Sequence, residues 1–175
     1  MRSLLLVAIA GLLAFGFALP ASAAGPGQSA ATVTVTGGAL SITVPSDAGN
    51  LGTRSDTVLG GTISGPLGVV QVSDARSAAA GSGWVASVIA SAFTPPAGPA
   101  IAASAVAYTA GTITKVGTAT FTANDPSNLT GVVAAVTATG ITGDNSAAWN
   151  PTITVTVPGG LAAGVYSATI THSVA

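Results

Sequence analysis

The side chains able to do chemistry in this sequence are few, and the most compact group of them is Asp74, Arg76 and Trp84. Asp74 and Arg76 stand two residues apart, so in a strand they share a face about 7 Å apart. Trp84 follows in the next strand-like run. A guanidinium stacked on the indole and steadied by the carboxylate makes a polar plug at a sheet end. Such a plug can fix strand register at the rim of a core, and the same groups can hold a ligand. The spacing favours the structural reading and leaves the other open.

His172 is the only histidine, and the chain has no cysteine and no glutamate. A hydrolytic triad needs a base, an orienting acid and a nucleophile, and His172 is the sole usual base. It lies on an otherwise apolar strand face, where a hydrogen-bonded core or rim histidine is expected. Zinc needs several Cys or His ligands, so no metal or other cofactor is expected. Asp125 beside Asn124 and Asn128, and Asp144 beside Asn145, read as loop residues. A calcium site gathers more carboxylates than either group offers, and the plainer reading is turn chemistry. The expectation is a protein that is not an enzyme.

The elements that must position these residues read as strands. Period-2 alternation recurs between Gly, Pro and Asn/Asp turns over 32–36, 39–44, 67–76, 84–93, 106–108, 112–122, 130–139, 151–157 and 164–174. The run 84–93 is apolar on both faces, as in a central strand. The last run sets Tyr166, Ala168, Ile170, His172 and Val174 on one face. Trp149 and Tyr166 are expected to meet in the core. Ser77–Ala80 has room for one helical turn, and no longer segment carries a 3.6-residue stripe. The sum is an all-β domain, an antiparallel β-sandwich of the Ig-like, Greek-key type with about eight strands. Thr lines the outward strand positions, which suits solvated faces; without a fixed repeat, a flat Thr ladder is not expected.

The N-terminus reads Met1-Arg2-Ser3, an apolar run to Leu19, then Pro20-Ala21-Ser22-Ala23. A basic start, an apolar middle and an A-x-A site are the grammar of a signal peptide, here residues 1–23, with cleavage expected after Ala23. Residues 24–31 are small and Gly/Pro-rich and read as a flexible linker, and 32–175 form the single sandwich domain. No stretch after the leader is long and apolar enough to span a membrane. Only 5% of the residues are charged, against about 25% in ordinary soluble domains. Phosphate backbones need clustered cations, so nucleic acid is excluded as a partner.

Three stretches carry a resemblance: Val69–Arg76 with Gly83–Val88, then Ala148–Ile153, then Ala163–Thr171. Their order and spacing resemble the WxL-domain surface proteins of Gram-positive bacteria, over about residues 67–174. The motif triplets stand as Trp84-Val85-Ala86, with Ala where the family has Leu, and His172-Ser173-Val174, with His and Val where it has Trp and Leu. The resemblance implies a β-sandwich that attaches non-covalently to peptidoglycan, with Trp84 at the matching motif position. The expected protein is thus secreted and cell-surface associated, a structural or adhesion module held by wall polymer or other surface proteins. The rival is a subunit of an extracellular assembly, self-associating by β-strand addition with Thr32–Thr36 as the donated strand.

Overall fold

The computed structural model describes residues 32–175. The signal-peptide and linker readings of residues 1–31 lie outside that range. Among the described residues no helix is long and apolar enough to cross a membrane.

The compact unit, Val35–Ala175, is all-β. Eight strands form it: β1 (Leu40–Thr43), β2 (Gly61–Pro66), β3 (Val70–Ala90), β4 (Val106–Thr109), β5 (Thr114–Ala123), β6 (Val133–Trp149), β7 (Thr152–Val157) and β8 (Ile170–Val174). One 3-10 turn, Ala103–Ala105, precedes β4. The larger sheet has the order β1-β3-β6-β5, and β8 joins the same sheet by pairing with β3. The smaller sheet has the order β2-β7-β4, and every strand pairing is antiparallel. Only β5 and β6 are both consecutive in sequence and neighbours in a sheet; elsewhere the chain changes sheet from one strand to the next. The antiparallel, two-sheet architecture expected from the sequence is therefore present, and its core lies between the sheets.

Alternation explains the inward faces. β3 turns Val70, Val72 and Asp74 inward at one end and Trp84, Ala86, Val88 and Ala90 inward at the other. β6 contributes Val136, Ala138, Ile141, Ala147 and Trp149, and β7 contributes Ile153 and Val155. Apolar burial of this kind is worth about 25 cal/mol per Å², and with no disulfide available it has to carry the fold.

Several expected elements differ. The runs 67–76 and 84–93 are one strand, β3, and Ser77–Ala80 belongs to that strand and forms no helical turn. The run 84–93 also alternates rather than burying both faces, with Val85 turned outward. Between the Asp74–Asn145 and Trp84–Ala138 pairs, β3 takes more residues than β6, and the surplus forms a series of bulges. Ser77, with φ 52°, and Gly81, with φ 88°, turn the backbone there. Those turning residues read as a break between two strands. β2 was not expected, because Gly61, Gly65 and Pro66 dilute its alternation. Gly65 is required in it, since its α-carbon lies against the Leu51 backbone with no room for a β-carbon. Thr32–Thr36 forms no strand, and β8 begins only at Ile170, leaving Tyr166 ahead of it.

Candidate functional site

Two buried polar clusters and one exposed face contain the residues of interest. The first cluster begins at Asp74, which is 1% exposed because strand alternation puts it in line with Val70 and Val72. A carboxylate there needs partners. Arg76 supplies a fork, donating Nε to Oδ1 at 2.8 Å and Nη2 to Oδ2 at 3.0 Å, while its backbone N–H also reaches Oδ1 at 3.2 Å. The paired guanidinium holds the Asp74 carboxyl down at about 2, with the Arg76 backbone N–H and Asn145 adding to the effect and burial opposing it. Arg76 Nη2 also donates to the Gly83 carbonyl at 3.2 Å, so one side chain ties the two ends of the bulged stretch of β3 together.

The link to Trp84 differs from the expected stack. Asn145 of β6 stands directly across from Asp74. It donates Nδ2 to Asp74 Oδ2 at 3.1 Å and accepts the Trp84 indole N–H on Oδ1 at 2.9 Å. The indole is 2% exposed and packs against Phe121 at a centroid distance of 5.7 Å. Trp84, Asn145, Asp74 and Arg76 thus form one relay, with the guanidinium spent on Asp74 and Gly83 rather than on the ring. Asp144 and Asn145 lie within β6, correcting the loop reading. Asp144 Oδ1 accepts the Ser77 backbone N–H at 2.9 Å and pins the bulge.

The second cluster joins the two sheets. Tyr108 of β4, 1% exposed, accepts the Trp149 indole N–H on its hydroxyl at 2.7 Å. His172 Nε2 lies 3.2 Å from the same hydroxyl, with ring centroids 5.7 Å apart. Burial pushes the Tyr108 phenol above its usual range and lowers His172 to about 4, so the imidazole is neutral at ordinary pH. The expected meeting of Trp149 with Tyr166 is replaced by this contact; Tyr166 donates its hydroxyl to the Ala162 carbonyl at 3.0 Å.

The motif triplets sit side by side: Ala86 pairs with Val174, Val88 with His172, and Val85 with Ala175. Trp84, Ala86 and Trp149 are buried and present no face to a ligand. Asp125, in its own loop with φ 45°, caps the Ala110 backbone N–H at 2.8 Å. Among the described residues no three His, Cys, Asp or Glu side chains gather where a metal would need them, and no buried side-chain polar atom lacks a partner.

The outer face of the larger sheet holds what sequence reading set aside. Thr118 faces Thr142, Thr120 faces Thr139 and Thr122 faces Thr137 across β5 and β6. Five of these six are exposed, and Thr137 is half-buried with its hydroxyl bonded to Asn124 Nδ2 at 2.9 Å. A register shift separates the first pair from the second. The fold and these clusters define a β-sandwich whose buried polar groups serve its own architecture. Comparisons with protein-family models, curated proteins and solved structures find no match. The WxL-domain resemblance therefore rests on its motif residues alone.

Proposed function

We propose that this chain is an exported, non-catalytic module of the bacterial cell surface, held there non-covalently by wall polymer or by other surface proteins. The observation that supports this reading best is the Thr-paired outer face of β5 and β6. Hydroxyls both donate and accept, so they match the hydroxyl and amide groups of a glycan without any charge. Non-catalytic character is supported by the two buried clusters, whose polar atoms bond to one another. The buried Trp84 moves the proposed contact away from the motif tryptophan and onto this face.

Replacing hydroxyl by methyl tests it. Thr120→Val with Thr139→Val keeps the β-branch and volume on an outward face, so the sandwich should keep its circular dichroism and melting. Retention on sedimented peptidoglycan should fall at least several-fold. Equal retention of variant and wild type would remove this face from the reading. A second reading, a subunit of an extracellular assembly built by strand addition, is favoured by the exposed alternating segment Thr32–Thr36.

A further inference from the structure

We infer that Thr32–Thr36 of one copy adds as a strand to the free edge of β5 in a second copy, so that the protein self-associates head to tail. The inference rests on the assembly reading and is independent of wall attachment.

The donor segment has the pattern of a half-buried strand, yet Val33 is 90% exposed, Val35 82% exposed, and neither lies in a strand. It is not a frayed start of β1. Leu40 and Ile42 of β1 point inward, whereas Val33 and Val35 have the opposite parity, so a simple continuation of β1 would turn both valines out. Their apolar face fits a different edge.

Among the edges, β5 is the one that fits. The outer side of β4 is occupied, with the Tyr108 N–H bonded to the Pro126 carbonyl at 2.9 Å and the Ala110 N–H to Asp125. β2 spans six residues, with Gly61 and Gly65 weakening it as a template and Pro66 offering no N–H. β1 spans four residues and β8 five, whereas β5 spans ten and ends the larger sheet. Edges are commonly guarded by charge or proline; Thr114–Ala123 carries one lysine, Lys115, and no proline. Phe121, Ala119 and Ala123 face the core side of this edge, where two added valines would extend the apolar layer.

Thr32–Thr36 cannot reach the β5 edge of its own copy. Gly37 lies against the Arg76 backbone, 2.7 Å from the carbonyl oxygen measured from a β-carbon position, and the Gly38 N–H bonds to the Ala75 carbonyl. A strand outside β5 lies four strand spacings from β1, roughly 19 Å away. The donor's last residue, Thr36, is bonded directly to the anchored Gly37, a reach of under about 4 Å. The occupant is therefore a second copy, and a donor and an acceptor at opposite edges make a heterologous contact that propagates.

The test uses the chain from Ala24 onward. Because the protein has no cysteine, Val35→Cys combined in turn with Ala119→Cys and Ala123→Cys reports the contact without background. Under mild oxidation at least one pair should give a ladder of dimers, trimers and higher species that collapses on reduction. Thr34→Pro, which lies outside every strand and removes a donor N–H, should lower the sedimentation-average mass at least several-fold at equal concentration while leaving circular dichroism unchanged. A wild type that stays monomeric at high concentration overturns the proposal. So does an assembly that Thr34→Pro leaves intact, or oxidation that yields monomer alone with both cysteine pairs. No wall material is present, so any of these failures leaves the wall reading untouched.

Discussion

Asn145→Ala removes the centre of the first polar relay and leaves its two ends in place. The indole N–H of Trp84 loses its acceptor at 2.9 Å in a residue only 2% exposed. An orphaned buried donor of that kind costs about 1–3 kcal/mol. Asp74 Oδ2 loses the donor at 3.1 Å but keeps Arg76 Nη2 at 3.0 Å, so the carboxylate is weakened rather than abandoned. With roughly 1 kcal/mol for the lost bond to Asp74 added to the indole cost, the expectation is a destabilisation of about 2–4 kcal/mol, which at roughly 2–4 °C per kcal/mol for a domain of this size lowers Tm by about 5–15 °C. Urea unfolding followed by tryptophan fluorescence should show a lower midpoint with an unchanged slope. The relay is refuted if the variant unfolds within about 0.5 kcal/mol of wild type, the ordinary scatter of surface substitutions.

Other perturbations follow from the same geometry. Asp74→Ala and Arg76→Ala should each destabilise, and the double variant should cost less than their sum, because one partner alone leaves a charge unpaired; strict additivity in urea unfolding would refute the contact. Because the Asp74 carboxyl is lowered from 3.8 to about 2, its contribution is present above pH 4 and lost as pH falls toward 2; Asp74→Asn should flatten that stretch of a stability-versus-pH curve. His172 is lowered from 6.5 to about 4, so the unfolded chain binds the extra proton first, and stability should fall as pH drops from about 6.5 to 4; His172→Gln should remove that slope, and an unchanged slope would contradict the buried neutral ring. Tyr108→Phe leaves the Trp149 N–H without its acceptor and breaks both contacts that this hydroxyl makes with the larger sheet, to Trp149 and to His172, so melting should fall by an amount corresponding to about 1–3 kcal/mol.

Much of the fold was legible because alternation is local. The inward valines of β3, the Ile153–Val155 pair of β7 and the Ile170–His172–Val174 face of β8 all follow from a two-residue period. Where backbone turns intervened, the reading broke. Ser77 and Gly81 looked like a boundary, yet Asp144 and Arg76 hold the chain through its bulges as one strand. The Asp74–Arg76 pair was legible from a spacing of two. Its tie to Trp84 was not, because it passes through Asn145, 71 positions from Asp74. One signal pointed there: Asn145 shares strand parity with Ala147 and Trp149, which marks an inward amide that needs partners. Tyr108 gave a similar cue, since a tyrosine in an apolar run needs a bond for its hydroxyl. The Thr pairs depend on the register between β5 and β6, which no single-strand pattern contains.

Attachment to the wall through uncharged contacts is tested most directly by co-sedimentation across a salt series. The chain from Ala24 onward, folded by circular dichroism, is mixed with purified bacterial peptidoglycan, and the pellet is assayed from low to about 0.5 M salt, where charge attraction is screened within about 4–5 Å. With no charged residue among the six paired threonines, the bound fraction should stay nearly constant across the series. A folded protein that remains in the supernatant at every salt concentration contradicts attachment, and binding that disappears as salt rises contradicts the uncharged face as its source.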